Sequence, residues 1–245
     1  MKVVACYSVK GGVGKSTLAA NLAWASATLS ARSTLLWDLD PQGSGSYLLG
    51  VNRPAGSEAL AVFAHSEADH PPVVATAWPR LDVLPADRGL HDVAGFLAKL
   101  GKKRRLARLT QSLARRYERI VLDCPPVLNE LSSQVLRAAH AIIVPLTASP
   151  LAERGLADVL EHLRRNHSGH APVLPVFAMY DARRKLHQTA HAQHPDWPVV
   201  PMASLIEQTS VQRRPIGDLA PRSPAADAIA RLWRGIEQKL SSPEA

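Results

Sequence analysis

The 245-residue chain has only two cysteines, Cys6 and Cys124, and no apolar run approaching the roughly 18 residues of a membrane-spanning helix. Two thiols cannot by themselves build a disulfide framework or a four-ligand metal site, so we expect both to be buried and reduced. The first ten residues reach a polar, glycine-rich stretch without the long apolar segment of a secretory signal. The sequence therefore predicts a cytoplasmic protein without stable membrane insertion.

Acidic residues are scarce in the later part of the chain. Residues 1–95 hold 7 basic and 8 acidic residues, whereas residues 96–245 hold 22 basic and 13 acidic ones. A localised excess of positive charge is typical of proteins that bind nucleic acid or an acidic membrane surface, although a basic protein without such a partner can have the same composition. Hydrophobic residues make up 46% of the chain, which is enough for a sizeable core.

Short apolar segments alternate with longer amphipathic ones along the chain. The pattern predicts strands at 3–7, 34–37, 81–84, 120–122, 141–144 and 173–179, and helices at 16–30, 104–116, 152–165 and 225–240. Apolar strands that alternate with helices indicate an α/β fold, with a doubly wound, mostly parallel sheet covered by helices on both faces. We expect a single domain over residues 1–245, a ligand site at the carboxyl ends of the strands, and a final helix packed on the core.

A glycine-rich loop between the first predicted strand and helix carries the most specific motif. It reads Val9-Lys10-Gly11-Gly12-Val13-Gly14-Lys15-Ser16-Thr17. Its glycines let successive backbone N–H groups point at phosphate oxygens, and the following helix adds the positive end of its dipole. In such a loop Lys15 bridges the β- and γ-phosphates, the Ser16 hydroxyl binds Mg²⁺, and Thr17 donates to the α-phosphate. Val9 replaces the first glycine of the common pattern, and a second lysine, Lys10, lies inside the loop.

Three aspartates follow or end predicted strands, where they face the same crevice. A carboxylate at Asp40 can orient a water molecule for in-line attack on the γ-phosphorus. Asp123 can hold a water molecule bound to Mg²⁺, and Asp38 is a further, indirect candidate for the Mg²⁺ shell or a support for the loop. The structural alternative for Asp38 and Asp40 is a turn or a helix cap.

The glycine-rich loop and two further segments resemble the deviant Walker A family, the ParA/MinD ATPases, whose loop reads K-G-G-x-G-K-[ST]-T. The further segments are Asp38-Leu39-Asp40-Pro41-Gln42-Gly43 and the Walker B strand within Tyr117–Pro126, and the resemblance covers nearly the whole chain. It implies that Lys10 crosses to the nucleotide of a partner subunit, so that ATP joins a homodimer and hydrolysis releases it. It also implies that Asp40 is the hydrolysis residue and that adenine binds near Met179 and Pro215.

The resemblance to the ParA branch also implies DNA binding without sequence preference, and hence association with the nucleoid. Many chains of that branch have arginines where Met202 and Leu205 stand here, so Arg213 and Arg214 are expected to take their place. The candidate DNA contacts are Arg183, Arg184, Arg213, Arg214 and Arg222, and the clusters Arg183–Lys185 and Lys102–Arg105 are next in order.

The leading hypothesis is a ParA-type ATPase with bound ATP and Mg²⁺ that positions or segregates a chromosome, a plasmid or a protein complex. A ParB-like or other cargo-adaptor protein is expected to stimulate its slow hydrolysis. The alternative is a MinD-like, membrane-associated regulator of division or flagellar placement. An iron–sulfur carrier would need exposed cysteines, and a bacterial tyrosine kinase would usually carry tyrosines near its end, whereas the last tyrosine here is Tyr180.

Overall fold

An eight-stranded sheet is the centre of the computed structural model, which describes residues 1–64, 71–166 and 170–241. The strand order is β3-β4-β2-β5-β1-β6-β7-β8, and every neighbouring pair is parallel except β3 and β4. The strands are β1 (Lys2–Cys6), β2 (Thr34–Asp38), β3 (Val74–Ala75), β4 (Leu81–Leu84), β5 (Arg119–Asp123), β6 (Ala141–Leu146), β7 (Val173–Tyr180) and β8 (Val199–Pro201). The predicted mostly parallel α/β sheet is confirmed.

Helices cover both faces of this sheet. Those of the described ranges are α1 (Lys15–Leu29), α2 (Ser44–Leu48), α3 (Glu58–Ala64), α4 (Leu90–Leu100), α5 (Arg105–Ser112), α6 (Glu130–Ala138), α7 (Pro150–Asn166), α8 (Lys185–Gln193), α9 (Ser204–Gln212), α10 (Ile216–Leu219) and α11 (Pro224–Ser241). The helix predicted at 104–116 divides into α5 and a 3-10 turn, Leu113–Arg115. Among the described residues, no helix is both long and apolar enough to cross a membrane.

Alternating side chains of the strands enter two separate cores. Val3 and Ala5 of β1 pack on the face covered by α4, α5, α6 and α7, whereas Val4 and Cys6 pack on the face covered by α1 and α11. Trp233 of α11 is fully buried there, and its indole N–H donates to Ser30 Oγ at 2.8 Å. The final helix therefore packs on the core, as its apolar periodicity predicts.

The strand predicted at 141–144 is longer in the structure, because β6 continues through Pro145 to Leu146. The Ile142 N–H donates to the carbonyl oxygen of Pro172, which lies on the β7 side. Because successive residues of a strand point their N–H groups to opposite sides, the nitrogen of Pro145 faces the β1 side. Pairing with β1 ends at Ile143, where β1 turns into the glycine-rich loop. A residue without an N–H therefore costs no ladder hydrogen bond at this position.

Candidate nucleotide-binding site

The glycine-rich loop lies at the carboxyl end of the central strand β1. Gly12 and Gly14 have φ angles of 71° and 87°, which side-chain-bearing residues rarely adopt, and Gly14 caps the start of α1. Lys15 begins that helix and is 6% exposed, and its Nζ donates to the carbonyl oxygen of Lys10 at 3.2 Å. The Lys10 side chain, in contrast, is exposed. The two lysines of the motif thus face different surroundings.

A cleft of about 660 Å³ opens from this loop across the carboxyl ends of the strands. One end is lined by the loop, by the first turn of α1 and by Asp40. The other end is apolar, and its lining includes Ala178, Met179, Val200, Pro201, Met202, Ala203, Ile206 and Ile216. A polar, amide-rich end and an apolar end match the triphosphate and the base of a nucleotide.

The apolar end of the cleft contains one of the two residues that the resemblance places at the adenine. Met179 lines the cleft with a φ of 53°, a left-handed conformation that costs a non-glycine residue roughly 1–2 kcal/mol. Pro215 is buried at the start of α10, and its neighbour Ile216 reaches the lining. Met202 also lines this apolar end of the cleft.

Asn21 is a site residue that the sequence analysis missed. Its Oδ1 accepts the backbone N–H of Ile216 at 2.7 Å, and its Nδ2 donates to the carbonyl oxygen of Thr17 at 2.8 Å. The side chain is 2% exposed and lines the cleft. A lone amide within the apolar run of α1 was the signal that could have identified it, because buried polar side chains need partners.

Asp38 is fully enclosed below the cleft, where it organises the turn that follows β2. Its Oδ2 accepts the backbone N–H and the hydroxyl of Ser46, each at 2.7 Å, and its Oδ1 accepts the N–H of Asp40 at 3.2 Å. Burial raises the pKa of Asp38 to about 6, although the Ser46 and Asp40 hydrogen bonds act in the opposite direction. The arrangement fits the role of a support for the loop.

Asp123 ends β5 directly opposite Asp38 of β2, because the two residues are register partners in the sheet. Its side chain is 0% exposed, and within the described residues neither carboxylate oxygen accepts a hydrogen bond in standard geometry. Burial, with a further contribution from the Asp38 charge, raises the pKa of Asp123 well above its usual value, while the Ser16 hydroxyl and the Lys15 ammonium lower it. A buried carboxylate without a partner is costly, and a cation would remove that cost.

Gly45 allows the start of α2 to approach these two carboxylates. A Cβ at this position would lie 2.6 Å from Asp123 Oδ2 and 3.3 Å from Asp38 Oδ2, so only glycine fits. Among the described residues, no group of three His, Cys, Asp or Glu could hold a metal ion. The donor set of Asp123 and the Ser16 hydroxyl nevertheless fits Mg²⁺, which proteins often bind through one or two ligands together with water and phosphate oxygens.

Asp40 lies between the buried carboxylates and the open cleft. It is partly exposed and lines the cleft, and its Oδ1 accepts the Gln42 N–H at 3.0 Å. The Gly43 N–H donates to the carbonyl oxygen of Asp40 at 2.8 Å, which closes the turn. Its carboxylate therefore has free acceptor capacity on the side where the phosphates would lie.

Four of the five candidate DNA-binding arginines have partners within the chain. Arg183 and Arg184 lie 2.9 and 3.6 Å from the carboxylate of Asp181, and Arg214 lies 2.8 Å from that of Asp218. The Arg213 guanidinium stacks 4.4 Å above the Tyr47 ring and donates to the Tyr47 carbonyl oxygen. The fifth candidate, Arg222, is exposed.

Comparison with known proteins shows the family to which this chain belongs. The model of a family described as "AAA domain" matches residues 1–174. The chain is 38% identical over 200 residues to the chromosome partitioning protein ParA of Caulobacter vibrioides, covering 76% of this chain and 72% of that protein. The chain belongs to the ParA/MinD family of ATPases.

Two further relatives agree with this assignment to the ParA/MinD family. The chromosome-partitioning ATPase Soj of Thermus thermophilus is 33% identical over 248 residues, covering 97% of this chain and 96% of that protein. A solved structure of cobyrinic acid a,c-diamide synthase from Mycobacterium smegmatis, with a bound ATP analogue and magnesium, matches with a TM-score of 0.78 and 26% identity. That match covers 99% of this chain and 96% of the other. The chain is thus related to P-loop ATPases, and its relatives include chromosome-partitioning proteins.

Proposed function

We propose that this ParA-family chain binds ATP with Mg²⁺, dimerises through the bound ATP, and positions or segregates a cargo by hydrolysing it. The observation that carries the proposal is the contrast between the two lysines of the loop. Lys15 is buried against its own loop, whereas Lys10 is exposed and directly precedes Gly11, which lines the cleft. An exposed cation beside a phosphate site can reach the phosphates of a second subunit.

The loop and the first turn of α1 hold the triphosphate. Backbone N–H groups of Gly11–Gly14 surround the phosphate oxygens, Lys15 bridges the β- and γ-phosphates, and Thr17 donates to the α-phosphate. The Ser16 hydroxyl and, through a water molecule, the Asp123 carboxylate would hold Mg²⁺, and the ion would supply positive charge to the phosphates.

Asp40 and Lys10 complete the hydrolytic arrangement. The Asp40 carboxylate, with acceptor capacity toward the cleft, orients the attacking water molecule and accepts its proton. Lys10 of the partner subunit adds positive charge at the place where negative charge develops in the transition state. Since the lysine comes from another subunit, hydrolysis depends on dimerisation, and loss of the γ-phosphate weakens the dimer.

The dimer is expected to bind DNA of any sequence and therefore to associate with the nucleoid in the cytoplasm. The excess of basic over acidic residues after position 95 supports this, as does kinship with chromosome-partitioning proteins. A ParB-like or other adaptor would connect the cargo and stimulate hydrolysis. The cargo itself is a chromosome, a plasmid or a protein complex.

The experiment that tests this function compares ATP with ADP. Light scattering with Mg²⁺ should give twice the monomer mass with ATP and the monomer mass with ADP. Co-sedimentation should then show ATP-dependent binding to random-sequence DNA and no binding to anionic vesicles. An equal mass with both nucleotides would refute the shared-ATP dimer, and binding to vesicles but not to DNA would favour a membrane-associated regulator instead.

A further inference from the structure

A stretch without acidic residues extends from the middle of α4 to the start of β5. Residues 93–117 contain no Asp or Glu and eight Lys or Arg. Seven of these eight side chains are exposed, and we refer to them together as the α5 face: Lys99, Lys102, Lys103, Arg104, Arg108, Arg115 and Arg116. The eighth, Arg105, is buried and donates to the carbonyl oxygen of Phe63.

Helical spacing places three arginines of the α5 face on one side. Arg104 precedes α5, Arg108 follows one turn later, and Arg115 lies in the 3-10 turn that ends this segment. The opposite side carries Leu106 and Leu109, which are fully buried in the core. From Arg104 to Arg115 the helical rise is about 16 Å, roughly the length of five base pairs along duplex DNA.

The α5 face lacks the carboxylate partners that three of the five candidate DNA-binding arginines have. Arg183, Arg184 and Arg214 each lie within 4 Å of a carboxylate. In the part of the chain that the structure describes, no carboxylate lies that close to any member of the α5 face. Seven like charges repel one another and destabilise the folded chain, and an external polyanion would remove that repulsion.

The surroundings of the α5 face favour a nucleic-acid backbone over a membrane. Helices that bind a membrane surface insert apolar side chains between the lipids. Within the described residues, the large apolar side chains that are exposed all lie outside 99–116. A purely cationic face matches the phosphates of a duplex, which neutralise lysine and arginine without sequence preference.

The α5 face is separate from the nucleotide cleft. Its helix packs against α6 and α3, and its residues do not contribute to the cleft lining. We infer that the α5 face is the main DNA-binding surface of this chain, in place of the arginines beside Asp181 and Asp218. The inference rests on the DNA-binding function proposed above.

A comparison of two triple variants tests the inference. Arg104→Gln, Arg108→Gln and Arg115→Gln remove three charges from the α5 face. Arg183→Gln, Arg184→Gln and Arg214→Gln remove three charges that are already paired with carboxylates. The affinity of each protein for a random-sequence duplex is measured by fluorescence anisotropy with ATP and Mg²⁺, between about 50 and 200 mM salt. Light scattering verifies that both variants still dimerise with ATP.

The expected result is a change in the α5-face variant alone. Losing three phosphate contacts lowers the slope of log affinity against log salt by about 2.7, so wild-type affinity falls about 40-fold more than the variant's over this salt range. The matched variant should keep the wild-type slope. An unchanged slope in the α5-face variant, or an equal loss in both variants, would overturn the inference while leaving DNA binding intact. A wild-type protein that ignores DNA would instead refute the proposed function, and binding of vesicles through the α5 face would identify a membrane as the partner.

Discussion

Replacing Asp38 by asparagine should stabilise the nucleotide-free protein at pH 7. Burial holds the pKa of Asp38 at about 6, against about 3.9 in an unfolded chain. The folded state therefore binds this proton more tightly, and the contribution of Asp38 to the free energy of unfolding falls by about 3 kcal/mol as the pH rises from about 4 to 6. An asparagine cannot ionise, so the variant avoids this loss.

The net gain is smaller than 3 kcal/mol because a hydrogen bond is lost. The asparagine oxygen can still accept both donors of Ser46, but its NH₂ group would face the N–H of Asp40, at a cost of about 1 kcal/mol. We therefore expect the free energy of unfolding to increase by about 2 kcal/mol, which raises the melting temperature of a chain of this size by about 4–8 °C.

Thermal melts of both proteins from pH 4 to pH 7.5, without nucleotide, measure this difference. The advantage of Asp38→Asn should be present at pH 7 and disappear toward pH 4, where the wild-type carboxyl is protonated. Asp40→Asn is the matched control, because its carboxylate reaches solvent and its stability should change by less than about 0.5 kcal/mol. Parallel pH profiles for wild type and Asp38→Asn would refute an ionised, destabilising carboxylate beneath the cleft.

Three further substitutions test the site. Lys10→Ala should keep ATP binding but lose ATP-dependent dimerisation in light scattering, since Lys15 and the loop amides remain; a dimer of unchanged stability would contradict the crossing lysine. Asp40→Ala should slow single-turnover hydrolysis by a factor of about 10² while the ATP dimer persists, and normal hydrolysis would assign the water-orienting role elsewhere. Gly45→Ala should destabilise the protein by about 1–3 kcal/mol in denaturant titrations, because its Cβ would lie 2.6 Å from an Asp123 oxygen. Gly95→Ala is the control: nothing lies within 4 Å of its Cβ, so this helical position should gain about 0.5–1 kcal/mol.

The place of the glycine-rich loop in the fold could be predicted from sequence because its residues are contiguous. One motif between a strand and a helix specifies the loop, and it lies where it was expected, with α1 beginning at Lys15 rather than Ser16. The sequence also places Asp38 and Asp123 at strand ends. It does not show that β2 and β5 are neighbours, and this pairing brings the two carboxylates together. Their raised pKa values follow from sheet order, which local patterns do not contain.

The apolar end of the cleft and the pairing of charges could not be predicted in the same way. The apolar end of the cleft is assembled from separate loops at the ends of β7 and β8 and before α10, and none of these has a diagnostic local pattern. Counting arginines likewise ignores their neighbours, so Arg214 counts as a free cation in the sequence although Asp218 binds it in the fold. Short strands such as β3, with two residues, offer too little periodicity to detect.

The two hydrogen bonds of Asn21 connect α1 to both ends of the cleft. The same helix begins at Lys15, in the phosphate loop, and about 9 Å further along its axis it fixes Ile216, in the apolar wall. Both ends of the cleft are thus attached to one buried helix, which couples their positions. The separation between the loop and this part of the apolar wall is set by α1, while α2, α9 and the ends of β7 and β8 form the rest of the lining.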